Sequence, residues 1–262
     1  MLKFDHASRA SQGARAYQED AAAVWPGNGP LTAKLNGTPP ADTTLLAVLA
    51  DGMGGHVGGA LASNMVCGVF LETFAKGEAD LVKRLSRCLE TANDAVNAKV
   101  TANPQLNGMG STFVAVAFGR DGAHWISVGD SPLYLMRKGE LTRVNEDHSL
   151  APLLDKMAAD GRMSLEDAKS DPRRHYLRSA VTGDELELID ASKRPLALER
   201  GDIVLLASDG ILTLTDDEIR RRLLAYKDDG VDKIADALLR DVEGAGDPYQ
   251  DNTTLVVIRV GD

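Results

Sequence analysis

The sequence predicts an α+β protein with helices laid on the outside of β-sheets. Three observations support this. Short strand patterns are clustered and mostly joined by short connections, the long helical patterns come in pairs, and no regular strand–helix–strand alternation runs through the chain. No internal repeat shows at periods of about 20–50 residues.

In chain order, a strand is expected to begin just after Gln18-Glu19-Asp20. Residues 26–43 are rich in Pro, Gly, Asn and Thr and read as a long surface loop. The apolar run 45–50 has the length of a buried strand. Helices are expected over 57–74 and 79–102. In the second, Leu81, Leu85, Cys88, Leu89, Ala92, Ala95 and Val96 recur at helical spacing as one apolar stripe. Strands are expected over 111–118, 123–128 and 133–137, with Lys138-Gly139 turning the last into a hairpin with 140–145. Residues 151–183 are polar, weakly periodic and interrupted by Pro152 and Pro172, which suggests a flap subdomain with short helices. Further strands are expected over 185–190, 202–207 and 253–260. Between the last two, Thr215 and Glu218 form a capping-box pattern for a helix over Asp216–Tyr226. Val231, Ile234, Leu238, Leu239 and Val242 mark another amphipathic helix.

A chain of 262 residues with 44% apolar residues suits one large domain with a core. Its 39 acidic residues outnumber 29 basic ones, for a net charge of −10. That balance argues against a nucleic-acid surface and against an anchor on anionic lipid. Counted as uninterrupted apolar residues, the longest clear run is 45–50, far short of a membrane span. The first residues show no apolar stretch of signal-peptide length, so a soluble, cytoplasmic protein is expected, with a monomer as the default. Cys67 and Cys88 fall at apolar helical positions without CxxC spacing and read as buried thiols.

Four aspartates stand at strand ends: Asp20 before a strand, Asp51 after LLAVLA, Asp209 after IVLLAS, and Asp251 before the last strand. A carboxylate there is held by a rigid element yet reaches into a cleft. Several converging carboxylates repel one another unless cations neutralise them, and hard divalent ions prefer such oxygen ligands. Glycine after Asp51 lets the backbone approach closely, which would make the Gly52 carbonyl a further ligand. Taken singly, each site also fits an Asp-Gly turn or a loop cap. The residues alone lead to an oxygen-ligated divalent metal site.

The ordered set GARAYQED, LADGMGGHVGG, GMGSTFVAV, SVGDSPLYL, EDHS, LLASDGI and DNTTLVVI resembles the metal-dependent serine/threonine protein phosphatases of type 2C, in their bacterial single-domain form. The resemblance runs from about residue 5 to 260. It implies a β-sandwich of two mainly antiparallel sheets with helices on both outer faces, forming one catalytic domain over 1–262 with the flap at about 151–183. It implies two manganese or magnesium ions bridged by a water or hydroxide that attacks phosphoserine or phosphothreonine without a covalent intermediate. By motif position, Asp20, Asp51, Asp209 and Asp251 match metal ligands, Gly52 a carbonyl ligand, and Asp130 a ligand to a third, weaker ion. Glu19 matches an acidic neighbour holding metal-bound water, and Asn252 a residue steadying the last ligand's loop. Arg15 matches the arginine that grips phosphate; without the motif it would read as a surface arginine beside two acids.

The implied partners are phosphorylated proteins, the products of a serine/threonine kinase. Eukaryotic relatives have histidine where this chain has Met53, which leaves His56 either as the general acid or as a turn residue that only contacts substrate or solvent. Pro132 stands where the family often has arginine, with local packing rather than catalysis at stake, and Asp171 stands where it often has histidine, a further oxygen ligand for the third ion. His148, in the DHS turn, is expected to make a structural hydrogen bond, while His6, His124 and His175 show no metal-ligand spacing. The alternative to an active phosphatase is a catalytically silent or narrowly specific regulatory binding module on the same fold. Such a module should have lost ligands that this chain keeps.

Overall fold

The computed structural model describes residues 2–27, 29–33, 35, 38–54, 57–77 and 80–261. Two five-stranded sheets face each other. One is ordered β10(Asp190–Ala191), β7(Ala123–Val128), β6(Phe113–Gly119), β3(Thr43–Ala50), β2(Ala21–Trp25); the other is β1(Lys3–Ser11), β12(Thr253–Gly261), β11(Ile203–Ala207), β8(Leu133–Arg137), β9(Glu140–Arg143). Every pairing within them is antiparallel.

Strand periodicity sorts the core into three layers. Leu45, Ala47 and Leu49 of β3 point toward Leu206 of β11 and Val256 and Ile258 of β12, filling the space between the sheets. Their neighbours Leu46, Val48 and Ala50 point outward onto α1(Val57–Ala75) and α2(Leu81–Ala102). On the other face, Leu205, Leu255 and Val257 pack beneath α5(Asp216–Tyr226) and α6(Val231–Gly244). Strands buried on both faces carry the continuous apolar runs seen in the sequence, and each fully buried Leu, Ile or Val contributes about 1.5–3 kcal/mol. The outcome is the α/β/β/α sandwich expected.

The helices keep their local signals. Asp80 caps α2 by accepting from the Lys83 N–H, and the expected stripe is buried at Leu85, Cys88, Leu89, Ala92 and Val96. The Thr215–Glu218 capping box is formed in full at the start of α5. Counting uninterrupted apolar residues passes over Gly58–Ala75, whose mean hydropathy of 1.2 makes it long and apolar enough, by length and composition, to cross a membrane. Half of this stretch is buried, packed on α2 and the neighbouring sheet, and it serves as a core helix.

Three strand expectations need correction. β1 was not anticipated: along its alternating sequence only Ala7 is buried, so an edge strand looks polar until paired with β12. The expected strand 111–118 is two, β5(Gly110–Ser111) paired with β4(Gly52–Met53), and β6. The chain breaks at Thr112, which hydrogen-bonds to Asp51 instead. The expected strand 185–190 reduces to Asp190–Ala191, because upstream the Leu188 backbone exchanges hydrogen bonds with the Ser179 hydroxyl rather than with a strand.

Residues 151–183 contain two short helices, α3(Ala151–Ala159) and α4(Leu165–Ser170). Arg174 fastens them together, bonding both Asp155 oxygens at 2.8 Å and the Ala168 carbonyl at 3.2 Å. Bridges Ser149↔Leu177 and Ser111↔Val181 tie the segment to the sandwich.

Candidate active site

The strand ends converge at one end of the sandwich. Asp20 and Asp51 flank the register pair Ala21↔Ala50 of β2 and β3, which makes them cross-strand neighbours. Asp209 follows β11 and Asp251 precedes β12, which are paired in the opposite sheet. Asp130 follows β7. Arg15, Glu19, Asp51, Gly52, Asp130, Asp209, Asp251 and Asn252 line a cleft of about 700 Å³ that also receives His175, Tyr176 and Arg178 from beyond α4.

Backbone crowding fixes this floor. A Cβ on Gly52 would lie 2.2 Å from the Gly59 carbonyl oxygen and 2.4 Å from that of Glu19. A Cβ on Gly59 would lie 2.4 Å from Glu19 Oε1. At Gly52 the crowding atoms are backbone, so only glycine there lets α1, β4 and the Glu19 segment meet. The Asp51 N–H donates to Thr112 Oγ1 at 3.1 Å, and its carbonyl accepts from the Thr112 N–H at 2.9 Å and Ser111 Oγ at 2.8 Å.

Asn252 holds the loop that carries Arg15, Glu19 and Asp20. Its Oδ1 accepts from the Glu19 N–H at 2.7 Å, and its Nδ2 donates to the carbonyls of Gln12 at 2.8 Å and Tyr17 at 3.0 Å. Ser208, fully buried just before Asp209, donates from Oγ to Asp20 Oδ2 at 2.8 Å and accepts from the Thr254 N–H at 2.9 Å, joining the two sheets. Arg15 pairs with Asp251.

Electrostatically the cluster is strained by its own charge. Burial, and then the charges of Asp209 and Asp251, push Asp20 up to about 6 despite the Ser208 hydrogen bond. Burial and the charges of Asp20, Asp209 and Asp130 raise Asp51 well above the usual carboxylate range. Asp209 is raised by burial and by Asp251, opposed by His175 and Arg15. Burial, Asp209 and Asp147 push Asp130 up to about 7, with Arg143 opposing. Asp51 and Asp209, carried by opposite sheets, are close enough for the charge of Asp209 to raise Asp51.

One oxygen each of Glu19, Asp20 and Asp209 is buried without a hydrogen-bond partner among the described residues. Buried carboxylate oxygens that repel and lack donors are the donor set that hard divalent cations satisfy. Among the described residues no three such side chains already stand in a finished metal-ligating group.

Other sequence candidates fall as follows. His56 lies outside the described residues. Met53 lines the cleft. Pro132 keeps the sheet intact, its carbonyl accepting from the Ala207 N–H at 3.1 Å. Asp171 is not a free ligand: Arg173 donates to it from Nε at 3.0 Å and Nη2 at 2.7 Å and holds its carboxyl down at about 2. His148 makes the expected structural bond, its Nδ1 accepting from the Gly129 N–H at 3.2 Å. Cys67 and Cys88 are buried and unbridged. Sequence reasoning missed Ser208, although a hydroxyl closing an apolar strand beside Asp209 was a visible signal. His175 gave no signal, because its position depends on how the flap folds back.

Comparison with known proteins agrees with this geometry. The family model described as Protein phosphatase 2C matches residues 39–233. The chain is 35% identical over 222 residues to serine/threonine protein phosphatase PstP of Mycobacterium tuberculosis, covering 83% of this chain and 40% of that protein, so it spans about two fifths of that relative's length. It is 28% identical to the serine/threonine phosphatase stp of Listeria monocytogenes, covering 83% of this chain and 85% of the other. The crystal structure of the PstP catalytic domain in complex with two manganese ions superposes with a TM-score of 0.77 at 30% identity, covering both chains completely.

Proposed function

This chain belongs to the protein phosphatase 2C family, and from that premise we propose that it hydrolyses phosphoserine and phosphothreonine in cytoplasmic proteins, opposing a serine/threonine kinase. The observation that carries the reading is the convergence of aspartates from both sheets, with buried oxygens lacking donors, beside Arg15. Asp20, Asp51, Asp209, Asp251 and the Gly52 carbonyl would hold two manganese or magnesium ions, and Asp130 a third. When bound, these ions supply the positive charge that makes a water nucleophilic at neutral pH and shields the phosphate.

The chain's own residues do the rest. The Arg15 guanidinium stands at the cleft paired with Asp251, and it exchanges that carboxylate for two phosphate oxygens. Glu19, held at its N–H by Asn252, orients the attacking water. Attack on phosphorus by water needs no covalent enzyme intermediate, and the burial of both cysteines in the helical layer argues against a cysteine nucleophile. His56 is assigned the proton for the leaving alkoxide on its sequence position alone.

The test is hydrolysis of p-nitrophenyl phosphate with manganese, with EDTA, and by Asp209→Ala. Activity should need metal and fall by about 10²–10³ or more in the variant. Across a series of phosphate monoesters, His56→Ala should lose rate mainly on those with poor leaving groups. A folded protein inactive with every divalent metal would instead favour a silent binding module.

A further inference from the structure

His175 reaches the site from the flap and lines the same cleft as Arg15, Asp51, Asp209 and Asp251. Its charge acts on Asp209, as does that of Arg15. Two cationic groups from separate segments, the flap and the loop before β2, therefore stand within electrostatic reach of one floor carboxylate. The His175 side chain is exposed, and among the described residues it has no hydrogen-bond or ion-pair partner. Arg178 lines the cleft as well, but its charge bears on His148.

The place of His175 is fixed from both sides. Before it, Arg174 is bolted to Asp155 and to the Ala168 carbonyl, and its N–H donates to the Asp171 carbonyl at 2.9 Å. The Tyr176 N–H donates to the Arg173 carbonyl at 2.9 Å, closing the turn that carries the histidine. After it, the Tyr176 carbonyl accepts from the Leu150 N–H at 3.0 Å, and the Arg178 N–H donates to the His148 carbonyl at 2.8 Å. His148 is in turn bonded twice to Gly129, the neighbour of Asp130: its N–H donates to the Gly129 carbonyl at 3.1 Å, and its Nδ1 accepts from the Gly129 N–H at 3.2 Å. The flap is thus registered on the floor, and a ring held between two anchors on its backbone loses less freedom when it takes a ligand.

We propose that His175 donates a ring N–H to the phosphate of the bound substrate, a second anion contact beside the one Arg15 makes. The inference rests on the phosphatase reading above and adds a substrate-contacting residue to it. Charge selects the occupant. A polar group with no partner, set over a floor that takes a phosphate, meets an anion with oxygens to spare: the Arg15 fork takes two, and the transferred group has three besides the ester oxygen. A histidine ring donates one N–H when neutral and two when protonated, so the contact needs no change of protonation.

The experiment uses the full chain with manganese. It measures hydrolysis of a threonine phosphopeptide and of p-nitrophenyl phosphate, inhibition by inorganic phosphate, and the manganese-induced rise in melting temperature. In His175→Ala, kcat/KM should fall about 10–100-fold on both substrates, and the inhibition constant of inorganic phosphate should rise at least about threefold. The rise in melting temperature should persist. Inorganic phosphate has no leaving group, so its weaker hold separates an anion contact from proton transfer to the ester oxygen. His175→Asn and His175→Gln place an amide N–H near the site of one or the other ring nitrogen, and one of them should recover most of the loss. Unchanged phosphate inhibition in His175→Ala, or a loss that neither amide recovers, overturns the contact and leaves the phosphatase reading standing. A lost response to manganese does the same, since it would make His175 a metal ligand. A wild type that hydrolyses neither substrate overturns the phosphatase reading and the contact with it.

Discussion

At the scale of single residues, Arg15 carries the sharpest test. Its side chain is half exposed and its partner is Asp251, an arrangement that an ordinary surface ion pair would share. The distinction lies in the fork. A phosphate needs two parallel N–H donors, whereas pairing with Asp251 needs only a positive charge nearby. Arg15→Lys keeps the charge and removes the fork, so kcat/KM on a phosphopeptide should fall by about a hundredfold while the manganese-induced rise in melting temperature persists. Steady-state kinetics and a thermal melt on the same preparation would show it; unchanged kinetics would return Arg15 to the surface. Legibility at this scale was uneven. The aspartates stood out because each borders an apolar run, Asp51 and Asp209 ending one and Asp20 and Asp251 preceding one, while Asn252 was assigned by motif position. Arg15 was assigned by motif position, and Ser208, which bonds Asp20 from the opposite sheet, was passed over because its partner lies 188 residues away in sequence.

At the scale of elements, strands buried on both faces announced themselves, and those defined by pairing did not. β3, β11 and β12 are continuous apolar runs, while β1 shows only Ala7 buried and becomes a strand through β12. Residues 185–189 alternate as a strand should, yet Ser179 takes the backbone groups of Leu188. The turn between β9 and α3 makes a testable case of such local bonding. His148 is buried, and its Nδ1 accepts from the Gly129 N–H, which requires an unprotonated nitrogen. Burial holds its pKa below the ordinary histidine value, with Asp190, Glu146 and Asp147 opposing. The unfolded chain therefore binds more protons as pH falls through the ordinary histidine range. The contribution is fully present above that range and is lost as pH drops through it toward the lower folded value. Denaturant midpoints measured between about pH 7.5 and about pH 5.5 should fall more steeply for the wild type than for His148→Gln. Parallel profiles would mean that the histidine is not held neutral.

At the scale of the whole molecule, the sandwich is clamped at the end where it is electrostatically weakest. Asp51 leaves one sheet and Asp209 the other, and their carboxyls meet among the charges of Asp20 and Asp130. Without cations, closing the sheets forces these groups together away from water, so the site subtracts from stability that the three core layers supply. The two requirements can be separated by Asp51→Asn. The amide keeps the size and shape of the side chain and removes one charge from the cluster. The metal-free variant should therefore be more stable than the metal-free wild type by about 1–3 kcal/mol, seen as a higher melting temperature in EDTA. Manganese should reverse the order. The wild type gains about 2.7 kcal/mol when the ion stands a hundredfold above its dissociation constant, while the variant, short of one ligand, gains little. A crossing of the two stabilities with metal identifies the carboxylates as a cation site built at the expense of the fold. A variant less stable than the wild type in EDTA, with no crossing when manganese is added, would mean that the Asp51 carboxylate supports the fold without a cation and would overturn the metal reading of this cleft.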